Sequence, residues 1–511
     1  MTICLLMPDS LMKFFFESNK GMFHMRFTLS IFFASLALSF CKNRFLPICF
    51  LIFLCLLEII QHGHMAYFGV PINPADLIKI YHESHEIIET GCHQLRNFWF
   101  VFPLIILCYA TAIWILYLFP KRIQFPYAFL IVLGLFLKVI FSNSYKTLPN
   151  IFYPSLYNSL NACSSTLYPS AQKFNFHNAF APYQIEKHNK TTPQNIILIM
   201  GESLRFDHLS LFDYQRNTTP FLDSLKNLPN FDYKKTISSG ISTSTSIPIF
   251  FNLVREPGNL NLLQNKVANL FRLAKENGYK TFWLSSQELA LIQDVASNFI
   301  DHAVTSNSLI TSKNRDEYIL SLFEDLALGD KNFIVIHQRT PHEPYEKQYK
   351  HRKAQFAIDD VNLTDRKERT INSYDNAVRF YDFLIQETFR IAQQKLLKDF
   401  YILFTSDHGE LLGDEGLYSH NHLNLPCAFV PFWIYGDLKR VQNHLQDRTF
   451  LNHYQIGILV ADLLGYNIYN PNDDHKTYYI HGNGIYSNYS YLEYEIQKEN
   501  VVMKNISRLQ P

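Results

Sequence analysis

Apolar and polar positions follow two different patterns along this chain. Before residue 142 the apolar residues run together: "RFTLSIFFASLALSFC" (26–41), "FLPICFLIFLCLLEIIQ" (45–61), "NFWFVFPLIILCYATAIWILYLF" (97–119) and "FPYAFLIVLGLFLKVIF" (125–141). Two runs are near the ~20 residues that cross ~30 Å of hydrocarbon, and two are slightly short. The pattern predicts membrane-spanning helices. The residues before Met25 could hold a degenerate fifth span, interrupted by Asp9 and Lys13, so the expected count is four or five. The short basic loops "KNR" (42–44) and "PKR" (120–122) are expected on the cytoplasmic side. Parity then puts 62–96 and everything after 142 outside. A cleaved signal peptide is one short segment and does not account for four; the competing reading is buried helices of a soluble protein. Residues 62–96 predict an amphipathic helix at the outer surface, its "NPAD" a helix start. The stretch 143–192, rich in Asn, Ser, Tyr and Pro, predicts a linker.

After residue 193 the apolar runs shorten. "NIILIM" (195–200), "KTFWLS" (280–285), "NFIVIH" (332–337) and "FYILFTS" (400–406) alternate with helical patterns such as 266–278 and 370–397, the first closed by Gly278 as a C-cap. Continuous apolar strands alternating with helices predict a mostly parallel sheet covered on both faces. The expected architecture is an α-helical transmembrane domain (1–142), a bridging segment (143–192) and an α/β domain (193–511). Ligands of such sheets sit beyond the carboxyl ends of the strands. Glu202, His342 and the pair Asp407–His408 fall there.

That placement gives the chemistry. "FTSDHGELLGDEGLYSHNH" (404–422) delivers Asp407 and His408 from one strand end and adds His420 and His422. Carboxylate oxygen and imidazole nitrogen from separate strands suit Zn²⁺, with Glu202 as a further ligand. A metal-activated nucleophile would be a hydroxyl, and "TISSGISTSTSIPIF" (236–250) offers several. Composition excludes one class: 46 Lys plus Arg against 45 Asp plus Glu leaves no electrostatic footprint for nucleic acid. Of eight cysteines only Cys163 and Cys427 lie beyond Cys108, so at most one disulfide is available there.

The stretches "GESLRFDHLSLFDYQRNTTPFL", "SSGISTSTSIPIF", "GYKTFWLSSQ", "HQRTPHEPY" and "SDHGELLGDEGLYSH" resemble, in order and spacing, the membrane-anchored phosphoethanolamine transferases. These belong to the alkaline phosphatase/sulfatase superfamily and include the lipid A-modifying enzymes behind mobile colistin resistance. The resemblance implies a sulfatase-like α/β domain in the periplasm, carried by a multi-pass domain in the bacterial inner membrane and acting as a monomer. It implies that Glu202, Asp407 and His408 bind zinc (one ion, with room for two) and that Thr243 is the nucleophile and a zinc neighbour. The choice of Thr243 over Ser242, Ser244 and Thr245 rests on the resemblance. His342 and His420 would line the phosphate site, and Asn269 would bind the donor head group. The implied reaction moves phosphoethanolamine from phosphatidylethanolamine to lipid A or a core sugar of lipopolysaccharide. Three departures stand out. Ser239 and Ile249 occupy places where the lipid A enzymes carry a disulfide, "DYQR" puts Asp213 for a glycine, and the first span is degenerate. The first two leave the acceptor open. Rivals are a glycerophosphate transferase of the lipoteichoic-acid type or a phosphodiesterase. A sulfatase proper lacks its C/S-x-P-x-R motif here. A catalytically dead sensor is disfavoured because Glu202, Thr243, Asp407 and His408 are all present.

Overall fold

The structure is a computed structural model describing residues 1–16, 25–41, 43–68, 71–72, 77, 101–118, 134, 154–167, 180–287, 295, 297–306, 314–349, 352–357, 365–396, 399–420, 422–482, 490–497 and 500–508. They form two compact units, Met1–Phe174 and Asn175–Pro511.

The first unit is helical: α1 (Thr2–Phe16), α2 (Met25–Ser39), α3 (Phe45–Phe68), α4 (Val101–Leu118) and α5 (Ser155–Leu167). Its inner side chains, among them Leu5, Leu38, Leu51, Leu54, Ile105 and Tyr109, pack together. Its outer side chains are also apolar: Ile52, Leu56 and Ile60 form an exposed stripe on α3, and Ile106, Leu107, Trp114 and Leu118 lie exposed on α4. Helices apolar all round belong in hydrocarbon or in a deep core, and an exposed apolar stripe of this kind suits lipid. Among the described residues one helix, α3 over Phe45–Met65, is long and apolar enough to cross a membrane; the apolar parts of α2 and α4 are shorter. The run 125–141 and most of 62–96 lie outside the described residues. Part of the expected linker is ordered: Ser155–Leu167 is helical, and Gln184–Lys187 pairs antiparallel with Tyr466–Tyr469.

The second unit is built on eight strands: β1 (Asn195–Gly201), β2 (Phe231–Ile237), β3 (Lys280–Ser285), β4 (His302–Val304), β5 (Asn332–His337), β6 (Phe400–Ser406), β7 (Phe429–Tyr435) and β8 (Phe450–Asn452). Their order is β8-β2-β7-β6-β1-β5-β3-β4, parallel except for β7, which runs against both neighbours. Strand periodicity sorts side chains onto two faces. Ile196, Leu198, Met200, Phe333, Val335 and Leu403 join one core with α6 (Thr243–Phe251), α7 (Leu270–Glu276) and α8 (His453–Leu463). Ile197, Ile199, Ile334, Ile336, Ile402 and Phe404 join the other, under the long helix Arg366–Lys395. Burial on both faces explains why these strands read as unbroken apolar runs. It also leaves polar chemistry one place to go, the strand ends. Cys163 and Cys427 are free thiols.

Candidate metal centre

Strand register sets the centre. Gly201 of β1 pairs with Ser406 of β6, so the next residues, Glu202 and Asp407, leave neighbouring strands side by side. The Asp407 amide donates back to the Gly201 carbonyl at 3.0 Å, and both acids are fully buried. Ser203 adopts left-handed backbone, φ 55, a strain held only where surroundings fix it. Here its amide donates to Asp407 Oδ1 (3.1 Å) and its hydroxyl to Glu202 Oε1 (2.8 Å). The strain therefore orients both carboxylates.

His408 is oriented through its other nitrogen. Nδ1–H donates to the Gly409 carbonyl at 2.8 Å, an arrangement typical of a metal-ligating imidazole. Nε2 then faces Glu202 Oε1 at 3.2 Å and Asp407 Oδ2 at 3.5 Å. Gly409 is required by close approach, because a Cβ there would collide with the Pro426 carbonyl. Thr243 opens α6 behind Ser242, whose backbone is extended. Its Oγ1 lies 3.1 Å from Glu202 Oε2 and 3.2 Å from His408 Nε2. Alone of these four residues Thr243 is partly exposed, so a substrate can reach it.

The electrostatics show what the cluster lacks. Burial, reinforced by the charge of Glu202, pushes Asp407 up to about 8. Burial would lower His408, but Asp407 and Glu202 draw it up to about 9. Burial acts against an ionised Glu202 as well, yet His408, helped by His342 and His420, holds it well below the usual carboxylate range. The protein alone balances these acids by gathering protons. Asp407 Oδ2 is buried without a hydrogen-bond partner among the described residues, which native structures rarely tolerate without an ion or water. Two carboxylates, an imidazole and a hydroxyl converging on one point fit a divalent cation, and their N/O donor set fits Zn²⁺.

A second group adjoins the first. The ligating atoms of His408, Glu410 and His420 lie within 4.8 Å of one another. His420 Nδ1 is 3.4 Å from Glu410 Oε2, its ring 4.4 Å from that of His408, and the His342 ring 6.1 Å from that of His420. Burial pushes Glu410 up to about 7.

The structure thus brings Glu202, Thr243, Asp407, His408, His342 and His420 together. It does not bring Asn269 to them. Asn269 is buried as the N-cap of α7, accepting from the amides of Phe271 and Arg272 and donating to Asn252 Oδ1 and the Val295 carbonyl. Both its side-chain oxygen and its side-chain nitrogen are engaged within the fold in this way. Three residues had not been singled out. Gln287 donates to Glu202 Oε2 at 2.6 Å and to the Gln338 carbonyl at 3.0 Å. His337 shares a potential ligand group with Glu202 and Asp407, and Glu410 completes the second. Their signal was positional: Gln287 lies just beyond β3, His337 ends β5, and Glu410 follows His408 by two.

Comparison with known proteins adds family and fold. The profile described as Sulfatase matches residues 194–465. "Phosphatidylethanolamine transferase Mcr-1" of Escherichia coli is 29% identical over 282 residues, 51% of this chain and 50% of that protein. "Kdo(2)-lipid A phosphoethanolamine 7''-transferase" of Salmonella typhimurium is 29% identical over 231 residues, 43% of this chain and 40% of that protein. The chain spans about half the length of the curated relatives it matches. Nearly the whole chain, 91%, superposes on 93% of the integral membrane protein lipooligosaccharide phosphoethanolamine transferase A from Neisseria meningitidis, with a TM-score of 0.60 and 17% identity. The shared fold therefore includes the helical unit as well as the sheet.

Proposed function

The chain belongs to the sulfatase family, and from that premise we propose that it transfers phosphoethanolamine from phosphatidylethanolamine to lipid A or a core sugar of lipopolysaccharide. One observation carries the reading: a partly exposed threonine hydroxyl, 3.1 and 3.2 Å from a carboxylate and an imidazole, where two buried acids converge. The relatives' names supply the donor and acceptor classes. The exposed apolar stripe of the helical unit supports a multi-pass anchor in the inner membrane, with the α/β domain in the periplasm, where both substrates are lipids.

Glu202, Asp407 and His408, with Thr243 as neighbour, would hold Zn²⁺, which when bound lowers the hydroxyl's pKa and draws charge from phosphoryl oxygens. In the first half-reaction Thr243 Oγ1 forms a bond to the donor phosphorus while the phosphorus–oxygen bond to diacylglycerol breaks. The threonine proton leaves to a neighbouring base, and the diacylglycerol oxygen gains one. Phosphoethanolamine then rests on Thr243. In the second half an acceptor oxygen attacks that phosphorus and the Thr243 ester bond breaks. His420, braced by Glu410, and His342 stand where groups that move these protons or contact the phosphoryl oxygens are needed. Thr243 sits at the amino end of α6, a position that suits an anion.

The test is reconstitution of the full-length protein in vesicles with headgroup-labelled phosphatidylethanolamine and lipopolysaccharide. Mass spectrometry should find one phosphoethanolamine added to lipopolysaccharide and diacylglycerol released. Release from phosphatidylglycerol instead would replace this reading with glycerophosphate transfer, and label appearing only in water-soluble product would make the protein a phosphodiesterase.

A further inference from the structure

We infer that His453 is a positioning residue that ties the nucleophile's loop to the strand end carrying the metal ligands, an inference that rests on the transfer reading above. His453 opens α8 and is 1% exposed. The helix start that presents it is fixed by a capping box between Asn452 and Gln455.

The ring joins two backbone positions. The Ser239 amide, four residues before Thr243, donates to Nδ1 at 3.0 Å. Nε2 lies 3.0 Å from the carbonyl of Ser406, the residue before Asp407. A backbone amide can only donate and a carbonyl can only accept, so these partners permit one form: Nδ1 bare, Nε2 protonated, the ring neutral. Burial pushes the imidazole down to about 3, so it stays neutral. The hydroxyls of Ser239 and Ser246 cluster at Nδ1, each at 3.3 Å, and that of Thr405 at Nε2, at 3.2 Å. Phe250 of α6 packs edge-on against the ring, centroids 5.2 Å apart. His453 therefore touches the loop before Thr243, the helix after it and the end of β6.

The loop has little other latitude. Gly240 is pressed so closely on Thr245 and Ser246 that a Cβ would meet them at 2.9 and 3.0 Å, and the Ser239 carbonyl accepts from the His481 amide at 2.8 Å. A histidine serving only to fill space would be replaceable by an apolar ring. Here such a ring takes away the acceptor of the buried Ser239 amide and the ring donor at the buried Ser406 carbonyl, and loosens the loop. A misplacement of about 1 Å costs on the order of 100-fold in rate.

The test compares His453→Phe, which keeps the ring's bulk, with His453→Gln, whose amide carries an acceptor and a donor on one planar group. In lipid vesicles His453→Phe should lower kcat about 100-fold, with KM for phosphatidylethanolamine within about threefold and zinc per protein unchanged. His453→Gln should recover much of the loss. Hydrogen–deuterium exchange, which needs no activity, should show faster exchange at 238–246 in His453→Phe and near-normal exchange in His453→Gln. Wild-type kcat or unchanged exchange in His453→Phe overturns the inference, as does lost activity that tracks lost fold with no rescue by Gln. If the wild-type protein transfers nothing, the transfer reading fails while exchange still decides whether the clamp exists.

Discussion

Two buried clusters in this molecule use the same residue types and arrange them oppositely. In the helical unit His62 stands between two acids: its Nδ1 is 2.8 Å from Glu58 Oε2 and its Nε2 3.8 Å from Asp9 Oδ1. Asp9 also accepts from the Ser155 amide and hydroxyl at the start of α5. Each ring nitrogen faces one carboxylate, with Nδ1 also 2.9 Å from the Glu58 carbonyl, so a single imidazole joins three helices. In the α/β unit both Glu202 and Asp407 face the same nitrogen of His408, while the other nitrogen is spent on a backbone carbonyl. One nitrogen carries at most one proton and cannot serve two carboxylates. A divergent arrangement gives each carboxylate a nitrogen of its own; a convergent one sets two carboxylates on one nitrogen, a donor set that suits a cation. Residue type alone does not separate the two.

The largest expected effect tests what that donor set is for. Thr243→Ala should lower head-group transfer by at least about 1000-fold, as loss of a nucleophile does, and leave zinc per protein largely unchanged, because Glu202, Asp407 and His408 remain. Thr243→Ser should keep part of the activity. Transfer by Thr243→Ala at the wild-type rate would dissociate the convergent cluster from catalysis.

Next in size is the stability of metal-free protein. Asp407 is raised from 3.8 to about 8 and His408 from 6.5 to about 9 in the folded state. Both groups bind protons more tightly folded than unfolded, so both contributions to stability fall as pH rises. The Asp407 contribution is fully present below about 3.8 and lost as pH passes 8; that of His408 is fully present below about 6.5 and lost as pH passes 9. Chelated protein should therefore melt at lower temperature at pH 9 than at pH 6, and added zinc should flatten that slope. Asp407→Asn should raise the melting temperature of the chelated protein at pH 8–9 while weakening zinc binding. A fall instead would mean that the carboxylate is satisfied without metal, and the contrast between the clusters would be lost.

How much of this was legible in the sequence follows the same contrast. The sheet was readable because strands buried on both faces must be apolar throughout, and the four core strands 195–200, 280–285, 332–337 and 400–406 came out as β1, β3, β5 and β6. Glu202 and the Asp407–His408 pair were readable as polar residues placed where those runs stop. Strands β2 and β7 were not, since "FDYKKTI" and "FVPFWIY" lack that signature: the first is largely half-buried and the second carries a proline. The capping role of Asn269 was not read from the sequence, because an amide that caps a helix and one that binds a ligand look the same there. Gln287 went unnoticed because its partner Glu202 is 85 residues away, a contact that only the β1–β5–β3 order creates. Nor could local sequence tell a convergent histidine from a divergent one, since a backbone carbonyl lies at Nδ1 of both rings and the difference is set by where the acids fall around them.

The smallest effect belongs to the cluster in the helical unit. Glu58 and His62 lie one turn apart on α3, and the first is 1% and the second 0% exposed. Ionisable residues in apolar helices usually mark function, but a divergent cluster predicts assembly instead. Polar contacts between such helices are worth about 1 kcal/mol, because the unpacked helices find other partners in the membrane. Glu58→Gln keeps the shape and removes the charge that faces His62 Nδ1. In vesicles it should speed amide exchange in α3 and α5 by about fivefold, the equivalent of about 1 kcal/mol, and leave kcat for head-group transfer unchanged. A collapse of kcat with normal exchange would instead give this cluster a part in the reaction, and the divergent geometry would no longer separate a fastening from a working site.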